Sequence, residues 1–386
     1  KLMKLYFFIR VEFQHSLFLK MIIDKIRKLG IVFASNMSIS KIIHKKFMVV
    51  NQSLDIWLNI KRGNENMTKG LGAEVIKIEM PVRGDDSRAN APLVNGESAY
   101  FMNLNRNKKG ITLNLKTEKG KEIFRGLVKK ADIVVENYRP GVMKRLGLDY
   151  ESLKEINPGI VYGAVSGFGQ YGPYSQRAGY DIIGQAMSGL MSTTGWQDTP
   201  PTRTGTAIAD VMAGVSCCVG ILAAYINKLK TGVGEMVDVA LVDSMVSSLE
   251  IINMIYLCTG RVPTRIGNRY EAIYPYDTFN AKDGMVIIAC GNDKLYGLLK
   301  EVIKDPDLED ERYKHNIDRV NNHAPLKEVV ERWTVKRNID DIVDILLEAG
   351  IPSAPVNTID RVVTDPHIAG AREMFVETEH PVAGKI

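Results

Sequence analysis

An apolar run of small residues between Thr202 and Lys228 constrains the fold of this chain more than any other stretch. Ala, Val, Ile and Leu fill most of it, and Gly214 and Gly220 leave room for another backbone to approach. This composition predicts a buried helix. Asp210 is the one acidic residue in the run. In the first turn of the predicted helix, its carboxylate would face the positive end of the helix dipole, which favours the ionised form.

Two roles are open for Asp210 on this pattern alone. Asp is a favoured N-cap residue, so a capping role is the simpler interpretation. A catalytic carboxylate at the start of a buried helix is the other, and the rest of the chain has to decide between them.

Histidine is absent from residues 45–314. The six histidines are His15, His44, His315, His323, His367 and His380. A Ser-His-Asp triad or a histidine-ligated metal site is therefore not expected in the middle of the chain. If the chemistry lies there, it has to work without an imidazole base, and we predict no metal site.

Four cysteines lie in apolar runs without CxxC spacing: Cys217, Cys218, Cys258 and Cys290. This arrangement favours buried, reduced thiols over disulfides or a zinc site, and it predicts a cytoplasmic protein.

Charge is distributed unevenly along the 386 residues, which are enough for one large or two ordinary domains. Residues 1–66 hold 12 Lys/Arg against 4 Asp/Glu, and by subtraction the remaining 320 hold 38 against 41. The main body is thus not basic, and we expect no nucleic-acid partner. Residues 1–66 contain no uninterrupted apolar span, so no membrane-spanning segment is expected there. We interpret them as an atypical segment upstream of the main fold.

Strand and helix patterns alternate from Leu71 onward. Strands are predicted at 72–79, 111–115, 132–137, 159–165 and 237–241, and helices at 117–130, 141–146, 151–157 and 243–257. The alternation indicates the α/β class, with an open parallel sheet covered by helices. Ligands of such sheets bind at the carboxyl ends of the strands, so the loops after Glu79, Asn137 and Val165 are the candidate binding loops.

The segment Gly167–Gly172 matches the pattern GxGxxG directly after a strand. Pro173 and polar residues follow instead of an apolar helix start, and no acidic residue ends a second strand about 20 residues on. We therefore predict a glycine loop and not a dinucleotide site.

A change in the sequence pattern near Gly260 predicts a second, smaller α+β domain. Residues 260–290 are rich in loops and strands, and helices are predicted at 293–303, 324–335 and 339–348. The predicted organisation is an atypical segment at 1–66, a large domain at 67–230, a small domain at 231–335, and a C-terminal segment at 336–386 that returns to the large domain.

Eight segments of the chain, from Leu71 to near its end, resemble the family III CoA-transferases of the CaiB/BaiF type. They are LGAEVIKIE (71–79), NLNRNKKGITLNLK (103–116), VVENYRPGVMKRLGLDY (134–150), SGFGQYGPY (166–174), GYDIIGQAMSGLM (179–191), TGTAIADVMAG (204–214), DVALVDS (238–244) and GIPSAPVNT (350–358). The resemblance implies an enzyme that moves coenzyme A between carboxylic acids. It also implies a Rossmann-like large domain and an interlocked homodimer. The expected substrates are an acyl-CoA and a small carboxylic acid, with CoA bound as a thioester substrate and no permanently bound cofactor.

The resemblance assigns roles to individual residues. Asp210 matches the aspartate nucleophile, which forms a mixed anhydride and then an aspartyl-CoA thioester. Asp181 matches an acidic residue near the reacting centre, although a helix cap is the alternative. The implied CoA site comprises Leu113, Asn114, Leu115, Lys116, Asn137, Tyr138 and Arg145.

Two alternatives to a transferase remain. The same fold serves α-methylacyl-CoA racemases, which need two acid/base groups, typically with a histidine in a GHD triplet; here the triplet is Gly179-Tyr180-Asp181. A non-catalytic family member is the second, because no stretch of 1–66 matches the family's first strand and CoA-contacting loop. The acyl donor and acceptor acid are not determined by these motifs.

Overall fold

The computed structural model describes residues 73–386 and the backbone of residues 46–50. Six parallel strands form the main sheet: β1 Lys46–Val50, β2 Glu74–Glu79, β3 Lys108–Thr112, β4 Ile133–Glu136, β5 Val161–Ser166 and β6 Met236–Ala240. Their order is β3-β2-β1-β4-β5-β6. This is the order of doubly wound sheets, whose ligand crevice lies where the strand order reverses, here between β1 and β4. The predicted α/β class and parallel sheet are confirmed.

Strand β1 is not predicted by the sequence pattern, yet it lies at the centre of the sheet, between β2 and β4. Strands buried on both faces of a parallel sheet are near-continuous apolar runs, and residues 47–50 are such a run. A run of five residues in a basic sequence is too short to be distinguished from part of a helix by its periodicity. The rest of 1–66 lies outside the described residues.

Helix α1 Ala99–Leu104 packs against the segment that precedes it, and one face of the sheet is covered by α2 Glu118–Val128, α3 Val142–Leu146 and α4 Tyr150–Ile156. Before α1 come a short 3-10 turn, Asp86–Ala89, and a hairpin of Leu93–Val94 with Glu97–Ser98. Thr117 begins α2 as its N-cap, because its hydroxyl accepts a hydrogen bond from the Gly120 N–H at 3.1 Å. The core of this face includes Phe124, Val128, Leu148, Leu153 and Tyr162.

The opposite face carries α5 Asp181–Met187, α6 Leu190–Thr193, α7 Ile208–Thr231 and α8 Leu241–Ser247, and α9 Ile251–Thr259 follows α8 in the chain. Helix α7 is the predicted apolar helix, and it ends at Gly232, whose φ of 77° suits a left-handed C-terminal residue. By length and hydropathy α7 could cross a membrane. Here one of its faces, with Ala213, Cys217 and Ile221, packs in the core beside β5 and β6. The predicted helix 243–257 is instead the two helices α8 and α9, which meet at an angle of 75°.

The direction of α7 follows from its contacts at both ends. Near its C terminus, Lys228 Nζ lies 3.0 Å from Asp132 Oδ1, and Asp132 directly precedes β4. The C terminus of α7 is therefore at the amino edge of the sheet. Its N terminus, with Asp210, lies toward the carboxyl edge, where ligands of such sheets bind.

A second sheet has its own core. Strands β7 Tyr276–Ala281, β8 Gly284–Ala289 and β9 Ser353–Pro355 are antiparallel in the order β9-β8-β7. Around them lie α10 Asp293–Ile303, α11 Asn316–Asn321, α12 His323–Thr334 and α13 Ile339–Glu348, with 3-10 turns Pro306–Glu309 and Glu311–Tyr313. The core extends from Tyr274 to Ile351.

The observed sheets differ from the predicted domain boundaries at three places. Strand β1 lies within 1–66, which we predicted as a segment upstream of the main fold, yet it belongs to the large sheet. Strand β6, within the predicted small domain 231–335, belongs to the large sheet. Residues 339–351, which we predicted to return to the large domain, pack in the core of the second sheet. After β9 follow α14 Ile359–Thr364, a π-helical turn Pro366–Ala371 and a hairpin of Glu379–His380 with Gly384–Lys385. This hairpin contacts the first half of the chain, because Asn95 Nδ2 donates to the carbonyls of Val382 and Ala383 at 3.3 and 3.2 Å.

Candidate functional site

Asp210 lies in the first turn of α7 without capping it. The N-cap residue is Ala207, and it offers no side-chain hydrogen bond to the helix. The capping interpretation of Asp210 is therefore wrong. Within residues 73–386, no hydrogen bond or ion pair to the Asp210 carboxylate is found, and the residue is only partly exposed. The carboxylate is thus free to react with a molecule that reaches the carboxyl edge of the sheet.

Asp181 supplies the missing cap from the neighbouring helix. It is the first residue of α5, whose own N-cap is Tyr180. Asp181 Oδ1 accepts a hydrogen bond from the Ala209 N–H at 2.8 Å. An unpaired N–H in the first turn of α7 is satisfied in this way. Asp181 is therefore a cap, as the alternative interpretation had it, but of the helix that carries Asp210.

Close packing keeps α5 against α7 and α8. A Cβ atom placed on Gly184 would lie 3.0 Å from the Ala209 Cβ and 3.2 Å from the Leu241 Cβ, which is tighter than ordinary packing. Glycine at this position therefore lets the three helices approach and holds Asp181 within reach of Ala209.

Gln185 joins this arrangement, and the sequence analysis missed it. Its Nε2 donates to Asp181 Oδ2 at 2.7 Å, and its Oε1 accepts from the Thr204 N–H at 3.0 Å. The spacing of four residues from Asp181 on a helix was the available signal, because residues i and i+4 lie side by side.

Burial and charge raise the pKa of Asp210. Desolvation is the larger cause and the negative charge of Asp181 is the second, and together they raise the pKa to about 6. At neutral pH the carboxylate is still ionised, and it is a stronger base than an exposed aspartate. Such a group suits nucleophilic attack better than an ordinary surface carboxylate does.

The predicted CoA segment 113–116 follows β3 and does not form part of it, because the strand ends at Thr112. The side chains of Leu113 and Leu115 are buried in the core of the α2 face. Asn114 forms a turn, since its Oδ1 accepts from the Lys116 N–H at 3.0 Å. The leucine side chains are therefore not available to a ligand, whereas the exposed Lys116 and the half-buried Asn114 are.

Asn137 and Tyr138 follow the carboxyl end of β4, next to the point where the strand order reverses. Asn137 Oδ1 is buried, and within the described residues it has no hydrogen-bond partner. Such orphaned acceptors are rare in native structures and often mark a ligand position. Tyr138 packs on the same cluster as Leu113 and Leu115, so these predicted residues do lie together. Arg145 is exposed at the end of α3.

Glu136 is a further candidate that the sequence analysis missed. It ends β4, and only 4% of its surface is exposed. Desolvation, opposed by a hydrogen bond from the Tyr138 N–H and reinforced by the Asp238 charge, raises the pKa of Glu136 to about 7. A cavity of about 220 Å³ adjoins it, and Arg139 and Lys144 belong to the cavity wall. The sequence signal was an acidic residue at the end of an apolar strand.

The cysteines agree only partly with the expectation of buried thiols. Cys217 and Cys290 are buried and free, but Cys258, on a helix without buried residues, is exposed. Within the described part of the chain, no group of three or more His, Cys, Asp or Glu side chains is placed to hold a metal ion.

Sequence comparisons relate the chain to proteins of known activity. A family profile described as CoA-transferase family III matches residues 67–386. The chain is 43% identical over 310 residues to the acetyl-CoA:oxalate CoA-transferase of Acetobacter aceti, covering 80% of this chain and 79% of that protein. It is 39% identical over 321 residues to the succinate–glutarate CoA-transferase of Agrobacterium fabrum, covering 81% and 80%.

The fold is also similar to solved structures. A CaiB/BaiF family protein from Brucella suis superimposes with a TM-score of 0.74 at 38% sequence identity, over 87% of this chain and 88% of that one. Neither sheet with its helices makes up 87% of the chain, so the similarity extends over both sheets.

Proposed function

The chain belongs to CoA-transferase family III, and we propose that it moves coenzyme A from an acyl-CoA to a carboxylic acid with Asp210 as the nucleophile. Transferase is the activity class of its relatives and of this chain. The observation that carries the assignment to Asp210 is its carboxylate at the start of α7, which is partly buried and has no partner among the described side chains.

Chemistry at a lone carboxylate needs no imidazole. An Asp210 oxygen attacks the thioester carbonyl, the C–S bond breaks, and a mixed anhydride and CoA thiolate form. The thiolate then attacks the aspartyl carbonyl, so that the donor acid leaves and an aspartyl-CoA thioester remains. The acceptor carboxylate repeats the exchange in reverse: it displaces the thiolate to form a second anhydride, and the thiolate returns to its acyl carbonyl. The products are the new acyl-CoA and free Asp210.

The first turn of α7 supports this chemistry electrostatically. Each step builds negative charge on a carbonyl oxygen next to Asp210, and the helix N terminus presents a partial positive charge there. Asp181 occupies the Ala209 N–H. The Ile208 and Val211 N–H groups donate to the carbonyls of Thr206 and Ala207 at 3.0 and 3.1 Å, which leaves the Asp210 N–H for an oxyanion, and Asp181 acts beside the reacting group.

CoA is proposed to cross the carboxyl edge of the sheet. The implied CoA residues gather with the α2 face, whereas Asp210 belongs to the α7 face. Asn137, at the end of β4 between the two faces, has a buried acceptor oxygen for an N–H or O–H of the pantetheine arm. Lys116 and Arg145 are exposed cations suited to the phosphates.

The acceptor is proposed to be a dicarboxylic acid, because oxalate, glutarate and mesaconate stand in the names of the relatives. Arg203 and Arg265 are the two candidates for the second carboxylate. Arg265 already donates to the carbonyls of Trp196 and Gln197 at 3.0 and 3.2 Å. Arg203 is exposed seven residues before Asp210, and among the described side chains it has no ion pair. It is the better candidate.

Hydroxylamine trapping tests the nucleophile. Wild-type protein incubated with acetyl-CoA or succinyl-CoA and hydroxylamine is expected to form a hydroxamate at Asp210, located by peptide mass spectrometry, and Asp210→Ala is expected to form none. A panel of oxalate, succinate, glutarate and mesaconate then identifies the acceptor. A wild-type protein that forms no hydroxamate but epimerises a 2-methylacyl-CoA would instead be racemase-like. One that binds no CoA would be a non-catalytic family member.

A homodimer and a cytoplasmic location complete the proposal. Val219, Leu222 and Ile226 on α7, and Met254 and Leu257 on α9, are exposed large apolar side chains. Apolar surface of this extent favours contact with a second copy. Light scattering of the purified chain tests it, with a monomer as the contrary outcome. Free thiols, including the exposed Cys258, suit a reducing compartment.

A further inference from the structure

We propose that Gln185 is a positioning residue of the Asp210 site, which fixes the Asp181 carboxylate against the N terminus of α7. The inference rests on the proposed function, because Asp210 is the group whose surroundings Gln185 would set. Gln185 has no exposed surface, and none of its hydrogen bonds goes to Asp210, so it acts through Asp181.

Two hydrogen bonds of 3.0 Å or less connect α5 to the start of α7 and the turn before it, and a third, within α5, joins the two side chains that make them. Two longer contacts support them: Gln185 Nε2 donates to the Thr206 carbonyl at 3.5 Å, and the Thr204 hydroxyl donates to Gln185 Oε1 at 3.4 Å. Gln185 Nε2 donates to Asp181 Oδ2 at 2.7 Å, and Asp181 Oδ1 accepts from the Ala209 N–H at 2.8 Å. Gln185 Oε1 accepts from the Thr204 N–H at 3.0 Å. The turn before α7 is therefore held by Gln185, and the first turn of α7 is held by Asp181. Gln185 has no exposed surface, so water cannot replace these bonds.

The chemistry of the partners requires an amide at position 185. The Thr204 N–H needs an acceptor and the Asp181 carboxylate needs a donor, and a glutamine amide supplies one of each. Glutamate has the same shape, but it would set a second carboxylate against Asp181. Methionine has a similar length, but it would leave both buried partners unsatisfied, which costs free energy.

Asp181 is also the charge that matters at Asp210. Helix α7 packs on α5, α8, β5 and β6. Three of these elements carry one acidic residue each, and β5 carries no charged residue: the acids are Asp181 on α5, Asp243 on α8 and Asp238 on β6. Of these, Asp181 is the one that raises the pKa of Asp210. A residue that fixes the position of Asp181 therefore fixes the electrostatic potential at the nucleophile.

The test follows the titration of Asp210 itself, which needs no turnover. Protein labelled with ¹³C at the aspartate carboxyl is titrated by NMR, and the Asp210 resonance is assigned by its loss in Asp210→Asn. Gln185→Glu, which adds negative charge, is expected to raise the midpoint by about one pH unit, whereas Gln185→Met, which releases Asp181, lowers it by about half a unit. The exposed Gln197→Glu makes the same chemical change as a control, and its midpoint stays that of wild type.

A charge swap separates positioning from packing. In Asp181→Asn/Gln185→Glu, the asparagine amide donates to the new carboxylate, its oxygen still accepts from Ala209, and the new carboxylate still accepts from Thr204. These three bonds are kept, and only the 3.5 Å contact of the Gln185 amide with the Thr206 carbonyl is lost. We expect Gln185→Glu to lower kcat about tenfold, and the double variant to recover most of that loss. Thermal unfolding of each variant reports whether it is folded.

The inference is overturned if the Asp210 midpoint is the same in wild type, Gln185→Glu and Gln185→Met, or if the folded double variant is no more active than Gln185→Glu. Failure of the proposed function looks different. In that case no hydroxamate forms at Asp210 in the wild type, while the shifts in the Asp210 midpoint remain measurable.

Discussion

Two groups of carboxylates at the carboxyl edge of the large sheet differ in how their surroundings change the pKa: it is lowered in the buried group and raised at Asp210 in the half-buried one. One is at the carboxyl end of β2, where Glu79 and Asp85 are joined by Lys77 and Arg88. The other is at the start of α7, where Asp210 has Asp181 as its charged neighbour. The groups are similar in chemical type, and what separates them is the presence of cations.

Ion pairs dominate the group at β2. Lys77 Nζ lies 2.6 Å from Asp85 Oδ2, and both side chains are 2% exposed. Arg88 Nε and Nη2 donate to the two oxygens of Glu79 at 2.8 and 2.9 Å. Burial alone would raise the pKa of each carboxyl, but hydrogen bonds from Arg88 and Lys77 and their positive charges outweigh it, so both pKa values are lowered. These carboxylates are engaged in holding the loop after β2, and they are not available to a substrate.

At α7, burial is unopposed. No cation pairs with Asp210 among the described residues, and the charge of Asp181 adds to desolvation, so its pKa rises to about 6. Burial of a carboxylate alone therefore does not determine its role. A paired carboxylate stabilises the fold, whereas an unpaired one beside a like charge costs stability and gains reactivity.

The largest expected effect is on activity at the unpaired group. Asp210→Asn should lower CoA transfer by about 10⁴-fold or more, the scale expected when a covalent nucleophile is removed. Steady-state transfer with the acceptor identified from the acid panel measures it. Lys77→Met, corrected for the fraction folded, should retain the wild-type kcat. Loss of turnover in folded Lys77→Met, or activity in Asp210→Asn within tenfold of wild type, would remove the distinction between the groups.

The next effect is on stability at the paired group. Lys77→Met leaves Asp85 buried without its cation, and we expect the free energy of unfolding to fall by about 3–5 kcal/mol. Urea unfolding followed by tryptophan fluorescence measures it. Lys77→Met/Asp85→Leu removes both charges and should recover most of the loss. If the single and double variants unfold alike, the pair contributes through shape and not through charge.

A smaller, opposite effect is expected for Asp210. Its pKa is raised from 3.8 to about 6, so the folded state bears a cost for ionising it that is absent below pH 4, grows between pH 4 and 6, and is complete above pH 6. Asp210→Asn should therefore raise the free energy of unfolding by about 2 kcal/mol at pH 7.5 and leave it unchanged at pH 3.5.

The paired group has the reverse pH dependence. The lowered pKa values of Glu79 and Asp85 stabilise the fold above about pH 4, and that stabilisation is lost as the pH falls through their folded-state values. Urea midpoints measured from pH 3.5 to 7.5 compare the two groups directly. An Asp210→Asn variant that is less stable than wild type at pH 7.5 would contradict the unpaired assignment.

The smallest effect is expected at an exposed pair near the first group. Arg83 Nη2 lies 2.7 Å from Asp86 Oδ1, and the side chains are 75% and 56% exposed. Because water screens such pairs, Arg83→Met should change the free energy of unfolding by less than about 1 kcal/mol. The same urea experiment measures it, and a change as large as that of Lys77→Met would show that burial is not what sets the two pairs apart.

Local pattern predicted much of the fold. The apolar run around Asp210 predicted α7 with Asp210 in its first turn, and β-branched segments predicted β2, β4, β5 and β6 within a few residues. Such elements are readable because their periodicity is set by neighbours in the chain. The central strand β1 was missed, because five residues are too few to show a periodic pattern. The break between α8 and α9 was missed because it depends on the backbone at Glu250, whose φ is 46°.

The sequence by itself determined the class of the protein and predicted Asp210 as its nucleophile, since Asp210 is the one acidic residue of an apolar run and belongs to a family motif. Only the tertiary structure decided what surrounds that carboxylate. The Ala209 N–H meets Asp181 from 28 residues away, and Thr204 meets Gln185 from 19 residues away. Partners this distant in the chain are brought together by the packing of α5 on α7, which no local pattern specifies. That packing makes Asp210 an unpaired carboxylate, while the ion pairs at β2 hold other acids in the fold.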